Sequence, residues 1–141
     1  MLEVAARPIG GLCSKALRFS AQGESGEASL EDVLLRHAIG EDVSRYARES
    51  RAAGVMMIPI PTRGMLKRVH GIDAAGAVPG IEEVQTTAKT GQLLEPLPEG
   101  ASYLGFIFAR GPDSPSVVSA LKVAHARLGF EITAPIALAA G

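Results

Sequence analysis

The chain begins with a period of two. Leu2, Val4 and Ala6 fall on one side of an extended segment, and Glu3, Ala5 and Arg7 fall on the other. Pro8 removes a backbone donor and ends regular pairing, and Gly10-Gly11 leaves an open turn. Residues 12–17 can start a short helix, and residues 20–27 are polar, contain glycine and read as a loop. Ser29 is placed as a helix N-cap, with Glu31 and Asp32 in the first turn. Leu30, Val33, Leu34 and Ala38 then make an apolar stripe that Gly40 ends. The spacing of Val43, Tyr46 and Ala47 predicts a second helical stretch over 42–51.

After Gly54 the pattern changes. Residues 55–60 are continuously apolar and β-branched in part, as in a buried strand that Pro59 and Pro61 place at an edge or terminate. Residues 62–64 form a turn into a second strand over 65–70, with Met65, Lys67 and Val69 opposite Leu66, Arg68 and His70. So short a connection predicts an antiparallel hairpin. A short helix over 73–77 capped by Asp73, a turn at Pro79-Gly80 and a third strand over 81–87 follow. Residues 91–100 read as a loop, and residues 102–109 as a fourth strand in which Gly105 marks a bulge or a close backbone contact. Ser114-Pro115 opens a helix carrying Val117, Leu121, Ala124 and Leu128 on one face, closed by Gly129. Residues 130–133 make a short last strand, and the Ala-rich tail beyond Pro135 is expected to fray. The sum is an α+β fold, a largely antiparallel sheet with helices packed on one face.

Composition narrows the function. A net charge of −1 lacks the basic excess of a nucleic-acid binder, and few aromatics with no Trp argue against a base-stacking platform. No segment is apolar over a bilayer-spanning length, and no secretory leader pattern opens the chain. Cys13 is the only cysteine, which rules out an internal disulfide and fits a cytoplasmic protein. It reads as a small packing residue, and His37 as a histidine without a metal-spaced partner.

The candidate chemistry gathers at the start. Glu3 and Arg7 share one strand face beside Gly10 and Gly11. A carboxylate can hold a hard cation through oxygen, and a guanidinium can grip phosphate in a fork, so the pattern suits a metal-bound polyphosphate. From the residues alone, a solvated acid–base pair is the commoner meaning of such spacing. Arg63, Lys67 and Arg68 form a second basic group, which could hold a small anion or line a solvated strand face.

The stretch Glu3-Val4-Ala5-Ala6-Arg7-Pro8-Ile9-Gly10-Gly11 resembles the last motif of ATP-grasp carboxylate–amine (or thiol) ligases, Glu-hydrophobic-Asn-x-Arg before a Gly-rich turn. Gly54 to Pro61, Val78 to Val84 and Gly105 to Gly111 resemble, in order and spacing, the C-terminal subdomain of the L-amino acid ligase branch. The resemblance implies that Glu3 holds magnesium, that Arg7 stabilises the transferred phosphoryl group and the acyl phosphate, and that Arg7, Gly10 and Gly11 contact ATP. Ala5 stands where the family has Asn, so one metal contact is missing.

The resemblance divides the chain into the final strand and helices of an ATP-grasp domain (1–52), a C-terminal α+β subdomain (53–135) and a tail (136–141). It implies an upstream ATP-grasp portion as partner, with small carboxylate and amine substrates, ATP and Mg as cofactors, and weak or no ATP binding by this part alone. The other classes the sequence leaves open are a non-catalytic lid or dimerisation module and a small-anion-binding domain.

Overall fold

A computed structural model describes residues 9–10, 12–23 and 26–134. After a 3₁₀ turn at Cys13–Ala16, the first part contains β1 (Arg18–Ala21), β2 (Ala28–Ser29), α1 (Leu30–Ala38) and β3 (Tyr46–Arg48). Then come β4 (Ala52–Ile58), β5 (Gly64–His70), α2 (Ile72–Gly76), β6 (Ile81–Thr86), β7 (Leu93–Leu94), β8 (Gly105–Gly111), α3 (Ser114–Ala126) and β9 (Gly129–Thr133). Among the described residues all strand pairing is antiparallel, in three three-stranded sheets ordered β2-β1-β3, β4-β8-β6 and β7-β5-β9. The α+β class and the antiparallel pairing agree with the sequence expectation, with the strands shared among three sheets.

The central sheet positions everything else. β8 is buried along its whole length, and its alternation divides the molecule. Ile107 and Ala109 face α3, where they join Val117, Leu121 and Ala124 in the core. Gly54 of β4, paired with Ala109, is on that face too: a Cβ there would lie 2.8 Å from Val117 Cγ1. Glycine thus lets α3 settle closely on the sheet. Phe106, Phe108 and Arg110 point the other way. Gly105 is the close contact the sequence predicts, because a Cβ would come within 2.2 Å of the Gln85 carbonyl oxygen.

Several expectations are corrected. Residues 42–51 do not form a helix: Tyr46–Arg48 is a strand, since Phe19, Ser20 and Ala21 offer an edge that pairs with Arg48, Ala47 and Tyr46. Ser20 and Ala21 accordingly leave the predicted loop for β1. β4 and β5 do not form a hairpin; the 59–63 connection leads each into a different sheet. Alternation in β5 fails at Lys67, where a register shift against β9 lets both Leu66 and Val69 reach the core. Leu93–Leu94 pairs with β5 inside the predicted 91–100 loop, and Leu94 is fully buried.

Helix ends differ by a residue or more. Gly71, in the left-handed region, caps α2 in place of Asp73. Asp113 caps α3 by accepting from the Ser116 amide, so Ser114 lies inside the helix. α3 ends at Ala126, before Gly129, which opens β9. Ser29 does cap α1, in a reciprocal box with Asp32. The tail beyond Pro135 lies outside the described residues.

Candidate functional site

Glu3, Arg7 and Gly11 lie outside the described residues; Gly10 is described and exposed. Its carbonyl accepts from the Cys13 amide at 3.3 Å, which links the glycine turn directly to the 3₁₀ turn. The Lys15 and Leu17 amides donate to the Leu12 and Ser14 carbonyls, so these donors are engaged within the turn. The structure therefore shows how the segment after the motif is held.

It is held by charge against the outer face of the central sheet. Lys15 Nζ lies 3.3 Å from both Glu83 Oε2 and Gln85 Oε1, and 5.4 Å from the centre of the Phe108 ring. Arg18 bridges Glu27 and Glu82, each at 3.0 Å. Arg110, whose side chain is 2% exposed, donates through Nε to Glu82 at 3.0 Å and through Nη2 to the Ala16 carbonyl at 3.3 Å. Its Nη1 pairs with Glu49.

Two local features build this cluster. A register shift in β6 between Ile81 and Glu83 lets Glu82 and Glu83 both serve the outer face, one for Arg110 and Arg18, the other for Lys15. β8 supplies Arg110 at the end of the Phe106–Phe108 row. Burial, followed by the nearby Arg18 charge, pushes the Arg110 pKa down. Three carboxylates offset two guanidiniums there, as a buried cation requires.

An open cleft of about 320 Å³ runs beside this joint, between Lys15, Arg18 and Glu27 on one side and Ser29, Glu31 and Asp32 on the other. Its polar groups are engaged. Asp32 accepts from the Ser29 amide and hydroxyl, and the Ser14 hydroxyl holds the Glu31 pKa below its ordinary value. Among the described residues no three His, Cys, Asp or Glu side chains converge to hold a metal ion. What the described residues do is fix the segment that follows Glu3 and Arg7.

The remaining candidates are dispersed. Arg63 pairs with Glu95 at 3.0 Å, while Lys67 and Arg68 are exposed on β5. Cys13 is half-buried and His37 is exposed. No helix among the described residues is long and apolar enough to cross a membrane. Sequence reasoning missed the Arg110 joint. The signal was present: one arginine inside an otherwise apolar strand, which needs a buried counter-charge.

No curated protein sequence matches the chain. Among solved structures, the L-amino acid ligase from Bacillus licheniformis is similar in fold, with a TM-score of 0.64 at 18% identity over 75% of this chain. The chain spans 27% of that protein's length. The family model for L-amino acid ligase C-terminal domain 2 matches residues 56–133, more than half of the chain. Through that match the chain belongs to the L-amino acid ligase C-terminal domain 2 family.

Proposed function

We propose that the chain is the C-terminal part of an ATP-grasp ligase that joins a carboxylate to an amine, or a thiol, with an upstream ATP-grasp portion as its working partner. Residues 1–52 complete the catalytic domain, 53–135 form the C-terminal subdomain, and 136–141 are a tail. The observation that carries this reading is the order of two features: the Glu3-to-Gly11 motif, then the family match at 56–133.

Within that reading Glu3 holds magnesium, and Arg7 stabilises the phosphoryl group in transfer and the acyl oxygen. Gly10 and Gly11 let the nucleotide approach the backbone. Bound Mg-ATP supplies the phosphoryl group that activates the carboxylate. Arg110 is a positioning residue. It ties the Ala16 carbonyl to the central sheet, and so anchors the turn that follows the motif. The cytoplasm suits a chain with a single cysteine.

The test is phosphate release from Mg-ATP with L-amino acids present, by this chain alone and by the complete ligase. Turnover is expected only from the complete enzyme; turnover by the chain alone refutes the reading.

One observation favours a second reading, a non-catalytic wall, lid or dimerisation module. The apolar core draws all its members from between Ala52 and Ile132, so this part is self-contained. Light scattering on the chain separates a self-paired dimer from a monomer awaiting another partner.

A further inference from the structure

We propose that β1, β2, α1 and β3, with Lys15 and Glu49 at their two ends, form a strap that an ionic latch holds on the C-terminal domain. The strap opens and closes as one unit while that domain stays folded. It is a property of this chain and stands apart from the ligation chemistry proposed above.

Three observations carry it. First, the strap has almost no core of its own. Between Ser14 and Arg51, Ala21 is the only buried side chain among the described residues. Two short ladders and half-buried side chains such as Phe19, Leu30 and Val33 hold it together. Secondly, it takes no part in the main core. The core cluster and the half-buried apolar side chains packed on it all come from between Ala52 and Ile132. Thirdly, the seam between the two parts is polar. Lys15 meets Glu83 and Gln85, Arg18 meets Glu82, and Arg110 meets Glu49 and the Ala16 carbonyl. The chain crosses from one part to the other at Ser50-Arg51, both exposed and outside any strand.

Such a seam parts more readily than an apolar one of the same area. Separating two apolar faces exposes both to water. Separating an ion pair returns each charge to water and recovers the desolvation penalty that had offset the attraction. The latch has two kinds of member. The side chains of Lys15, Glu83, Arg18 and Glu82 are between 30% and 48% exposed, so salt screens them. Arg110 and Glu49 are the shielded pair, which salt reaches least. The strap runs on directly from the 3₁₀ turn that the Gly10 carbonyl holds, so its closure also fixes that turn.

The test is native-state amide exchange on the 141-residue chain, without nucleotide, at about 0.05 M and about 0.5 M sodium chloride. At low salt the amides of β1, α1 and β3 are expected to be protected, yet to exchange as one set about 100-fold or more faster than those of β8 and α3. High salt should speed that set by about threefold or more and leave β8 and α3 unchanged. Glu49→Gln should speed it by about tenfold or more, again without touching β8 and α3. Gly54→Ala, which strikes the packing of α3 on the sheet, should do the reverse. One common rate in both parts, or acceleration of both together by Gly54→Ala, overturns the proposal. So does a strap insensitive to salt or to Glu49→Gln, and so does one unprotected at low salt. Because no ATP is present, failure of the ligation chemistry would leave this result unchanged.

Discussion

Arg110 of β8 and Glu49, which follows β3, form an ion pair across the seam between the amino-terminal sheet and the central sheet. Their side chains are 2% and 17% exposed, so neither charge is well served by water if the other is removed. Arg110→Met is expected to destabilise the chain by about 3 kcal/mol in urea unfolding, because it leaves Glu49 and Glu82 without their buried partner. Adding Glu49→Gln should recover about 1 kcal/mol of that loss. Additive losses would show that the pair is not coupled.

Two glycines should respond in opposite directions. Gly54→Ala places a methyl 2.8 Å from Val117 Cγ1 and 3.3 Å from Leu121 Cδ1, forcing α3 off the sheet. It is expected to cost about 1–3 kcal/mol. Gly76, within α2, has nothing within 4 Å of an added Cβ. Gly76→Ala should raise stability by about 0.5–1 kcal/mol through helix propensity. Thermal unfolding of the two variants decides both points.

The helix caps set a pH dependence. The Ser29 amide and hydroxyl hold the Asp32 pKa below the ordinary aspartate range, as the Ser44 amide and hydroxyl do for Asp42. The Ser116 hydroxyl and amide do the same for Asp113. A carboxylate with a depressed folded-state pKa binds fewer protons folded than unfolded. Its stabilisation is therefore complete above the ordinary aspartate range and is lost as pH falls through and below it. Melting temperature should fall on that acid limb. Ser29→Ala should lower stability by about 1 kcal/mol near neutrality and flatten the limb. An unchanged acid profile in Ser29→Ala would contradict the role given to this cap.

The legible parts of the sequence were those with local causes. Ser29 and Asp32 close a box within four residues, and Val117, Leu121 and Ala124 share one helical face whatever they pack against. Features that depend on distant partners were hidden. Tyr46 and Ala47 fit an amphipathic helix in isolation, but the free edge of β1 draws them into a strand. The shift at Lys67 is set by the neighbouring strand, so strict alternation put Leu66 and Val69 on opposite faces although both reach the core. Arg110 stood within a stretch noted for its packing pattern, yet its partners Glu49 and Glu82 are far away in sequence. The acidic and basic pair at Glu3 and Arg7 was read from strand alternation and then from a motif, and lies outside the described residues.

Ligation itself tests the central claim most directly. Phosphate released from ATP should be measured with magnesium and a panel of L-amino acids, for this chain, for the complete ligase, and for the complete ligase carrying Glu3→Gln or Arg7→Met. The account predicts no turnover by the chain, amino-acid-dependent turnover by the complete enzyme, and a loss of about 100-fold or more in either variant. Turnover by the chain alone, or full activity in both variants, would contradict it.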